Sequence, residues 1–451
     1  MPIELSETFW ESCWARQNGA GSKLKAAILA AGLGKRMDPL TVSHLPKPLF
    51  PLCGKIPMSE VWVRRFVESG ITDISMNLCV LSKTLKRHFG DGSKFAAQIT
   101  FVDEEIPTGT LGGVCKQGLG SAAKRLSHDP PLQLSPFGGD TIIVPSGDIV
   151  TNFGAELLEQ VYHFHKKVGS AFTIVLVPVP WERRGDFGTV VMDSHEKREG
   201  LLSAAGPIKE FREKDPDSPS NLNNASIYII EMDLLRILDS YRTTADPALV
   251  EPFYDFGKHV FPALLGKLPY VSLPKGYSLW GIQYDGEWYD VGQKRDYLRV
   301  NNALLDGKLD LSVPYEKFPW GYLGNNTNVD FSRISVTPPV LIGNNCVIEP
   351  GARLGPYAVI GDDWIIGREA LIRDSVLWQR YSYFTKDGRE IRANERRLVD
   401  RHEIRSKVTV EECIVVGGSI QNNIKEQTVD ILEDGELSML SIDHVPRGPR
   451  A

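Results

Sequence analysis

From Lys23 onward, short apolar runs alternate with amphipathic stretches. KAAILA, DISMNL, QITFVD, TIIVPSGD, AFTIVLVPV and ASIYII carry strand-length apolar runs, whereas SEVWVRRFVESG and GAELLEQVYHFHKK are helix-length and amphipathic. Buried strands separated by helix-length segments predict βαβ units. The expectation for residues 23–309 is therefore an α/β domain with a Rossmann-like, mostly parallel sheet. Residues 1–22 show no periodicity and end in NGAGS, which reads as an N-terminal extension.

The segment 310–335 is rich in Pro, Gly, Tyr and Asn and reads as a linker. Beyond it the period changes. Val336, Ile342, Ile348, Leu354, Ile360, Ile366 and Ile372 recur every six residues, and two positions before successive anchors stand Val340, Cys346, Ala352, Ala358, Trp364 and Ala370. No helix uses a six-residue period, but three short strands per coil do. Residues 336–451 are thus predicted to form a left-handed parallel β-helix of hexapeptide repeats. A polar insertion at about 381–406 interrupts it, Val408, Ile414 and Ile420 resume the period, and a tail follows. The bland role for such a stack is packing and homo-oligomerisation, since its coil ends need covering.

Composition narrows the class without naming a chemistry. Among 451 residues, 51 basic against 57 acidic side chains leave a net charge of −6, which excludes a chain built around nucleic-acid phosphates. No apolar run approaches the ~18 residues of a membrane span. The six cysteines contain no CxxC pair, and the acidic N-terminus does not read as a signal peptide. A cytoplasmic protein without membrane or nucleic-acid partners is expected.

Chemistry concentrates in KLKAAILAAGLGKRMDPLTVSHLPKPLFPL. A strand ending near Ala30 and Ala31 runs into Gly32-Leu33-Gly34, whose missing side chains let backbone N–H groups approach a phosphate. Alone, such a turn is as readily an ordinary tight turn; it has neither Walker spacing nor a third dinucleotide glycine. Lys35 and Arg36 follow, then Lys47 between Pro46 and Pro48, which restrain the backbone around it. A glycine loop with cations suits a polyphosphate, Arg as a fork and Lys as a point charge.

These residues resemble the sugar-1-phosphate nucleotidyltransferases, most closely the mannose-1-phosphate guanylyltransferases, whose G-x-G-x-R-x-x-P-x-T and P-K-P elements correspond to GLGKRMDPLT and PKP. The resemblance implies binding of a nucleoside triphosphate and a sugar 1-phosphate, with Mg²⁺ as cofactor. It assigns Arg36 and Lys47 to catalysis and Ala31, Gly32, Gly34 and Lys35 to the nucleotide. PTGTLGG is similar to the family's base-facing loop, which adds Gly109 and Thr110, with Leu111 at a position usually small. VPSGD and WYDVG are similar to the two metal-binding elements, making Asp148 and Asp290 the expected ligands; otherwise an Asp after Gly is usually a turn former. FREKD and NNASIYII, with Gly188 of DFGTVVMD, imply sugar-phosphate contacts by Glu213, Lys214, Asn224 and Gly188. REKDPD also reads as a solvated charge run, Gly188 as a turn glycine, and Ser226 stands where the family has Gly.

The implied reaction is nucleotidyl transfer, best matched by GTP and mannose 1-phosphate. Glucose-1-phosphate uridylyl- or thymidylyltransferases share nearly all these elements. A non-catalytic subunit that binds sugar nucleotide is the rival from another class, although it would have no need of Arg36, Lys47, Asp148 and Asp290 together. A β-helix acyltransferase would need a histidine, and only His402 and His444 follow Val336, both outside the regular repeat. Asp148→Asn is expected to stop turnover with little loss of folding.

Overall fold

The computed structural model describes residues 24–43, 45–79, 81–119, 141–193, 200–243, 255–268, 271, 273, 276–379, 383–384, 390–391, 402–431 and 437–443. The N-terminal extension, the end of the tail and most of the insertion lie outside the described residues.

The N-terminal unit is built on a nine-stranded sheet. Its strands are β1 (Lys25–Leu29), β2 (Asp73–Leu78), β3 (Gln98–Asp103) and β4 (Thr141–Pro145), followed after a short strand, β5 (Ile149–Thr151), by β6 (Phe172–Pro178), β7 (Gly188–Met192), β8 (Leu202–Glu213), β9 (Leu222–Glu231) and β10 (Leu279–Tyr284). The spatial order is β3-β2-β1-β4-β9-β6-β10-β8-β7. From β3 to β4 every pairing is parallel, as the helix-length connections require, through α1 (Met58–Glu68), α2 (Ser82–Phe89) and α3 (Gly109–Leu119). Beyond β4 the pairing differs from the mostly parallel expectation. β9 is antiparallel to both β4 and β6, and β8 is antiparallel to both β10 and β7. For β7 and β8 the reason is local: they follow one another without an intervening helix and pair as a hairpin, which returns antiparallel.

The C-terminal unit consists of three ladders visited in rotation, the arrangement a β-helix requires. One ladder runs through Gly321–Leu323, Val340–Ile342, Ala358–Ile360, Ser375–Leu377 and Ile414–Val415. The second runs through Asn328–Val329, Val347–Ile348, Trp364–Ile366, His402–Ile404 and Ser419–Ile420. The third runs through Ser335–Val336, Arg353–Leu354, Leu371–Arg373, Thr409–Glu411 and Ile424–Lys425. Cys346, Ala352, Ala358, Trp364 and Ala370 are fully buried inside.

Three expectations are corrected here. The supposed linker 310–335 contains the first coil, because Pro, Gly and Asn are the residues that turn the coil's corners. After the insertion, Ile372 aligns with Val410 and Leu377 with Val415, so Val408 and Ile414 are out of phase although Ile420 is in register with Ile404. The cause is the coil lengths: Ala358 pairs with Ser375, 17 residues on, Ile366 with Ile404, 38 on across the insertion, and Ile404 with Ile420, 16 on, so no single six-residue phase runs through the insertion. Finally, His402 belongs to a coil. It pairs with Trp364, their rings 4.8 Å apart, and is 1% exposed, which removes it as an acyl-transfer base open to substrate.

One outer face of the β-helix is not free. Leu341, Val359, Val376 and Ile414 point outward from the first ladder yet are at most 1% exposed, because they share a core with Phe50, Trp62 and Tyr297 of the N-terminal unit.

Candidate active site

Gly34 takes a left-handed φ of +62°, and the 3₁₀ turn Lys35–Met37 follows. That turn buries Met37 and leaves Lys35 and Arg36 at the surface. Lys47 opens a second 3₁₀ turn, Lys47–Leu49, and is only 8% exposed. Its Nζ lies 2.5 Å from Asp148 Oδ2, while the Ser146 hydroxyl donates to Asp148 Oδ1 at 2.5 Å.

Asp290 reaches this point through the backbone. β11 (Trp288–Asp290) pairs antiparallel with β5, placing Asp290 opposite Ile149, and the Val291 N–H donates to the Asp148 carbonyl at 3.2 Å. The Trp62 indole donates to the Ile149 carbonyl at 2.9 Å and holds β5 from behind. Arg36 joins from the other side: a Cβ on Gly292 would stand 3.3 Å from its Nη2 and 3.5 Å from Asp290 Oδ1.

The electrostatics of the two carboxylates diverge. Burial would raise the Asp148 carboxyl, but the Lys47 charge with the Lys47 and Ser146 hydrogen bonds outweighs it and holds the group below its ordinary range. Asp290 is pushed up to about 6 by burial and then by the Asp148 charge, against the pull of Lys47. Two oxygen-donor side chains that repel each other, one already partly neutralised by a lysine, suit a hard divalent cation, which needs one or two carboxylates plus phosphate oxygens. Among the described residues no group of three or more His, Cys, Asp or Glu could hold a metal.

Two cavities meet at the pair. The first, about 290 Å³, is lined by Ala31, Gly32, Lys47, Gly109, Thr110 and Asp148 among others. The second, about 430 Å³, contains Arg36, Gly188, Glu213, Lys214, Asn224 and Asp290. All but two of the expected site residues therefore converge. Lys35 and Gly34 line neither cavity: the 3₁₀ turn directs Lys35 to solvent, and Gly34 packs on Thr41, shaping the loop. The Thr110 hydroxyl already accepts from the Phe256 N–H at 2.8 Å and so ties its loop down.

Sequence reasoning missed the supports. Asn77 accepts from the Ala30 N–H at 2.8 Å and donates to Glu104 at 2.7 Å; Glu104 in turn accepts from the Thr108 N–H and hydroxyl, each at 2.7 Å. This buried chain fixes the glycine loop relative to the loop that carries Thr108 and Gly109. In the second cavity Ser226 sits at φ +56° in a bulge of β9, where its N–H donates to Asn224 Oδ1 and its carbonyl accepts from Ser146. The Trp288 indole donates to the Ala225 carbonyl at 3.0 Å, pinning the same bulge to the strand that carries Asp290. Apart from Ser226, which stands where the family has Gly, no local signal marks these residues, because the bonds from Ala30 to Asn77, Asn77 to Glu104 and Trp288 to Ala225 join positions remote in sequence.

Gly188 opens β7 and packs closely on Phe211 and Glu213. A Cβ there would stand 2.7 Å from Phe211 Cζ and 2.9 Å from Glu213 Oε2. Burial, with Asp255 nearby, raises the Glu213 carboxyl against the pull of Lys214 and Lys258. Gly188→Ala is expected to displace Glu213 and raise KM for the sugar phosphate about tenfold, with little change in KM for the nucleotide. Steady-state kinetics with each substrate varied in turn checks this; equal effects on both constants would refute a role confined to the second cavity.

An α/β sheet carrying a cationic glycine loop, with a lysine and two carboxylates between two cavities, defines a site for joining two phosphorylated substrates. The sequence profile described as Nucleotidyl transferase matches residues 25–307, and the chain belongs to that family. It is 29% identical over 363 residues to a UTP–glucose-1-phosphate uridylyltransferase of Synechocystis sp., covering 79% of this chain and 83% of that protein. It is 28% identical over 337 residues to the mannose-1-phosphate guanylyltransferase of Mycobacterium tuberculosis (75% and 78%). A probable mannose-1-phosphate guanylyltransferase of Oryza sativa is 27% identical over 412 residues, covering 87% of this chain and all of the relative. The relatives are sugar-1-phosphate nucleotidyltransferases. Among the described residues no helix is long and apolar enough to cross a membrane.

Proposed function

We propose that the protein joins a nucleoside triphosphate to a sugar 1-phosphate with release of pyrophosphate, using GTP and mannose 1-phosphate. The observation that supports this reading is the convergence of Lys47, Asp148 and Asp290 where the two cavities meet. A phosphate oxygen of the sugar phosphate attacks the α-phosphorus; the bond from that phosphorus to the β-phosphate bridging oxygen breaks. The attacking group is already anionic near pH 7, so the work is alignment and charge stabilisation rather than proton abstraction.

The first cavity takes the nucleotide, with Gly32 and Ala31 presenting backbone to the phosphates and Gly109 and Thr110 facing the base. Lys47 neutralises the α-phosphate. Arg36 stands where the cavities join and stabilises charge on the departing pyrophosphate. In the second cavity, Asn224 and Glu213 hold sugar hydroxyls and Lys214 the sugar phosphate. Asp148 and Asp290 would hold Mg²⁺, which supplies positive charge shared between the two substrates' phosphates. Homo-oligomerisation belongs to the same proposal and would use β-helix surfaces other than the face covered by the N-terminal unit.

UTP with glucose 1-phosphate is the second reading, favoured by the Synechocystis relative. A matrix of sugar 1-phosphates against nucleoside triphosphates, read as pyrophosphate release, decides between them. The strongest turnover is expected with mannose 1-phosphate and GTP; preference for another pair overturns that choice, and no turnover with any pair overturns the enzymatic reading.

A further inference from the structure

Two segments that flank the site, the one following Lys47 and the helix following Asp290, both rest on the β-helix. Three residues beyond Lys47, Phe50 donates its N–H back to the Lys47 carbonyl at 3.0 Å and sets its ring edge-on to Trp378, 5.0 Å between centroids. The chain then forms the hairpin Pro51–Leu52/Ile56–Pro57, whose tip also meets the β-helix. A Cβ on Gly54 would stand 3.5 Å from the Gly361 Cα, and Lys55 pairs with Asp362 at 3.1 Å. The segment that presents Lys47 is therefore attached at three points.

The second element starts four residues after Asp290. It is the helix Lys294–Leu305, which packs on Ser375–Leu377. Tyr297 stands 5.7 Å from Phe50 and 6.1 Å from Trp378, so three rings form one closed cluster. The Tyr297 hydroxyl donates to the Pro51 carbonyl, and the Cys53 N–H donates to Asn301 Oδ1 at 2.7 Å. At the outer end Arg295 spreads its guanidinium over Asp443 (2.5 and 2.7 Å), Glu412 (3.2 Å) and Glu426 (3.1 Å). Neither Trp378 nor Arg295 lines either cavity.

We infer that the β-helix is the positioning element of the metal site, with Trp378 and Arg295 as its positioning residues: together they set how far Lys47 and Asp290 stand apart. The inference rests on the nucleotidyl-transfer reading above. An aromatic cluster shared by both elements transmits any shift of one to the other, because a packed interior has no slack to absorb it. A misplacement on the order of 1 Å at such a site costs up to about 10²-fold in rate. A passive packing module would need neither a guanidinium spanning three carboxylates nor an aromatic contact this near the lysine turn.

The test uses the full chain carrying Trp378→Ala, Trp378→Phe or Arg295→Ala, each shown folded by circular dichroism. Steady-state kinetics are measured, and binding of Mn²⁺ alone is followed by electron paramagnetic resonance. Trp378→Ala is expected to lower kcat about tenfold or more, leave both KM values within about twofold and weaken Mn²⁺ binding, with Trp378→Phe restoring most of each. Arg295→Ala, on the surface, is expected to act in the same direction by about threefold and decides the question if Trp378→Ala does not fold. Folded variants with wild-type kcat and wild-type Mn²⁺ affinity overturn the inference. Absence of turnover in the wild-type protein would instead defeat the functional reading, and the Mn²⁺ titration would still decide this one.

Discussion

Asp290→Asn is expected to lower turnover on the order of 10³-fold and, at the same time, to make the metal-free protein more stable at neutral pH. The two effects have one cause. The Asp290 carboxyl is pushed up to about 6 because it is buried and faces the Asp148 charge. In the unfolded chain it ionises near its ordinary value of about 3.8. Between those values the folded state holds a proton that the unfolded state has lost, so folding stability falls as pH rises through this window. Above about pH 6 the whole penalty is present. Asparagine cannot ionise and escapes it, a gain of about 1–2 kcal/mol, or roughly 2 °C or more in Tm. The measurement is Tm of both proteins without divalent cation between pH 4.5 and 8. The variant should lead at pH 8, and its lead should shrink on acidification through 6. Stability is the better readout, because phosphate substrates themselves titrate near 6 and would mask the group in a rate profile. A variant no more stable than wild type at pH 8 would show that the carboxylate pair carries no unfavourable charge.

That conflict between stability and function is what metal binding would relieve: the acid destabilises the empty site and is the group a cation would neutralise. It also explains why Lys47 sits where it does. A buried lysine is costly unless paired, and its contact with Asp148 satisfies both groups before any substrate arrives.

Much of this protein is legible in its sequence where the information is local. The six-residue period from Val336 to Ile372 states the coil directly, since each residue's position depends only on its neighbours along the chain. The glycine loop and Lys47 are legible for the same reason. The phase after the insertion is not, because the insertion and the unequal coils around it break the six-residue count, and 310–335 reads as a linker because corner-turning residues look like loop residues. The meeting of Asp148 and Asp290 rests on a pairing between strands 142 positions apart, which only the resemblance to a family anticipated. The direction of Lys35, the support by Asn77 and Glu104 and the contact of Phe50 with Trp378 depend on tertiary packing alone. Among them the ion pair of Lys47 with Asp148 alters an expectation most, since it makes Asp148 part of the fold as well as the site.

Asp148→Asn is accordingly expected to abolish Mg²⁺-dependent turnover and also to destabilise the protein, where sequence reasoning expects little loss of folding. The amide cannot balance the Lys47 charge, and the Lys47 side chain is only 10% exposed, so water does not replace the lost partner. Removing one member of a buried pair costs about 3–5 kcal/mol; the Asp148 side chain is 26% exposed, which lowers the figure here to about 2–3 kcal/mol. Lys47→Met should be destabilising by the same logic, because it leaves Asp148 and Asp290 facing each other without a cation. The double variant carries neither the unpaired lysine nor the Asp148 charge. It should therefore lose clearly less stability than the two single losses added together, by about 1–2 kcal/mol. Urea unfolding of the four proteins at pH 7.5 without divalent cation measures that difference. Simple additivity would mean that Lys47 and Asp148 do not interact in solution, and Asp148 would then be a metal-site residue only. A positive coupling, with turnover lost in all three variants, identifies the pair as both the latch of the empty site and the groups that substrates and metal must draw apart.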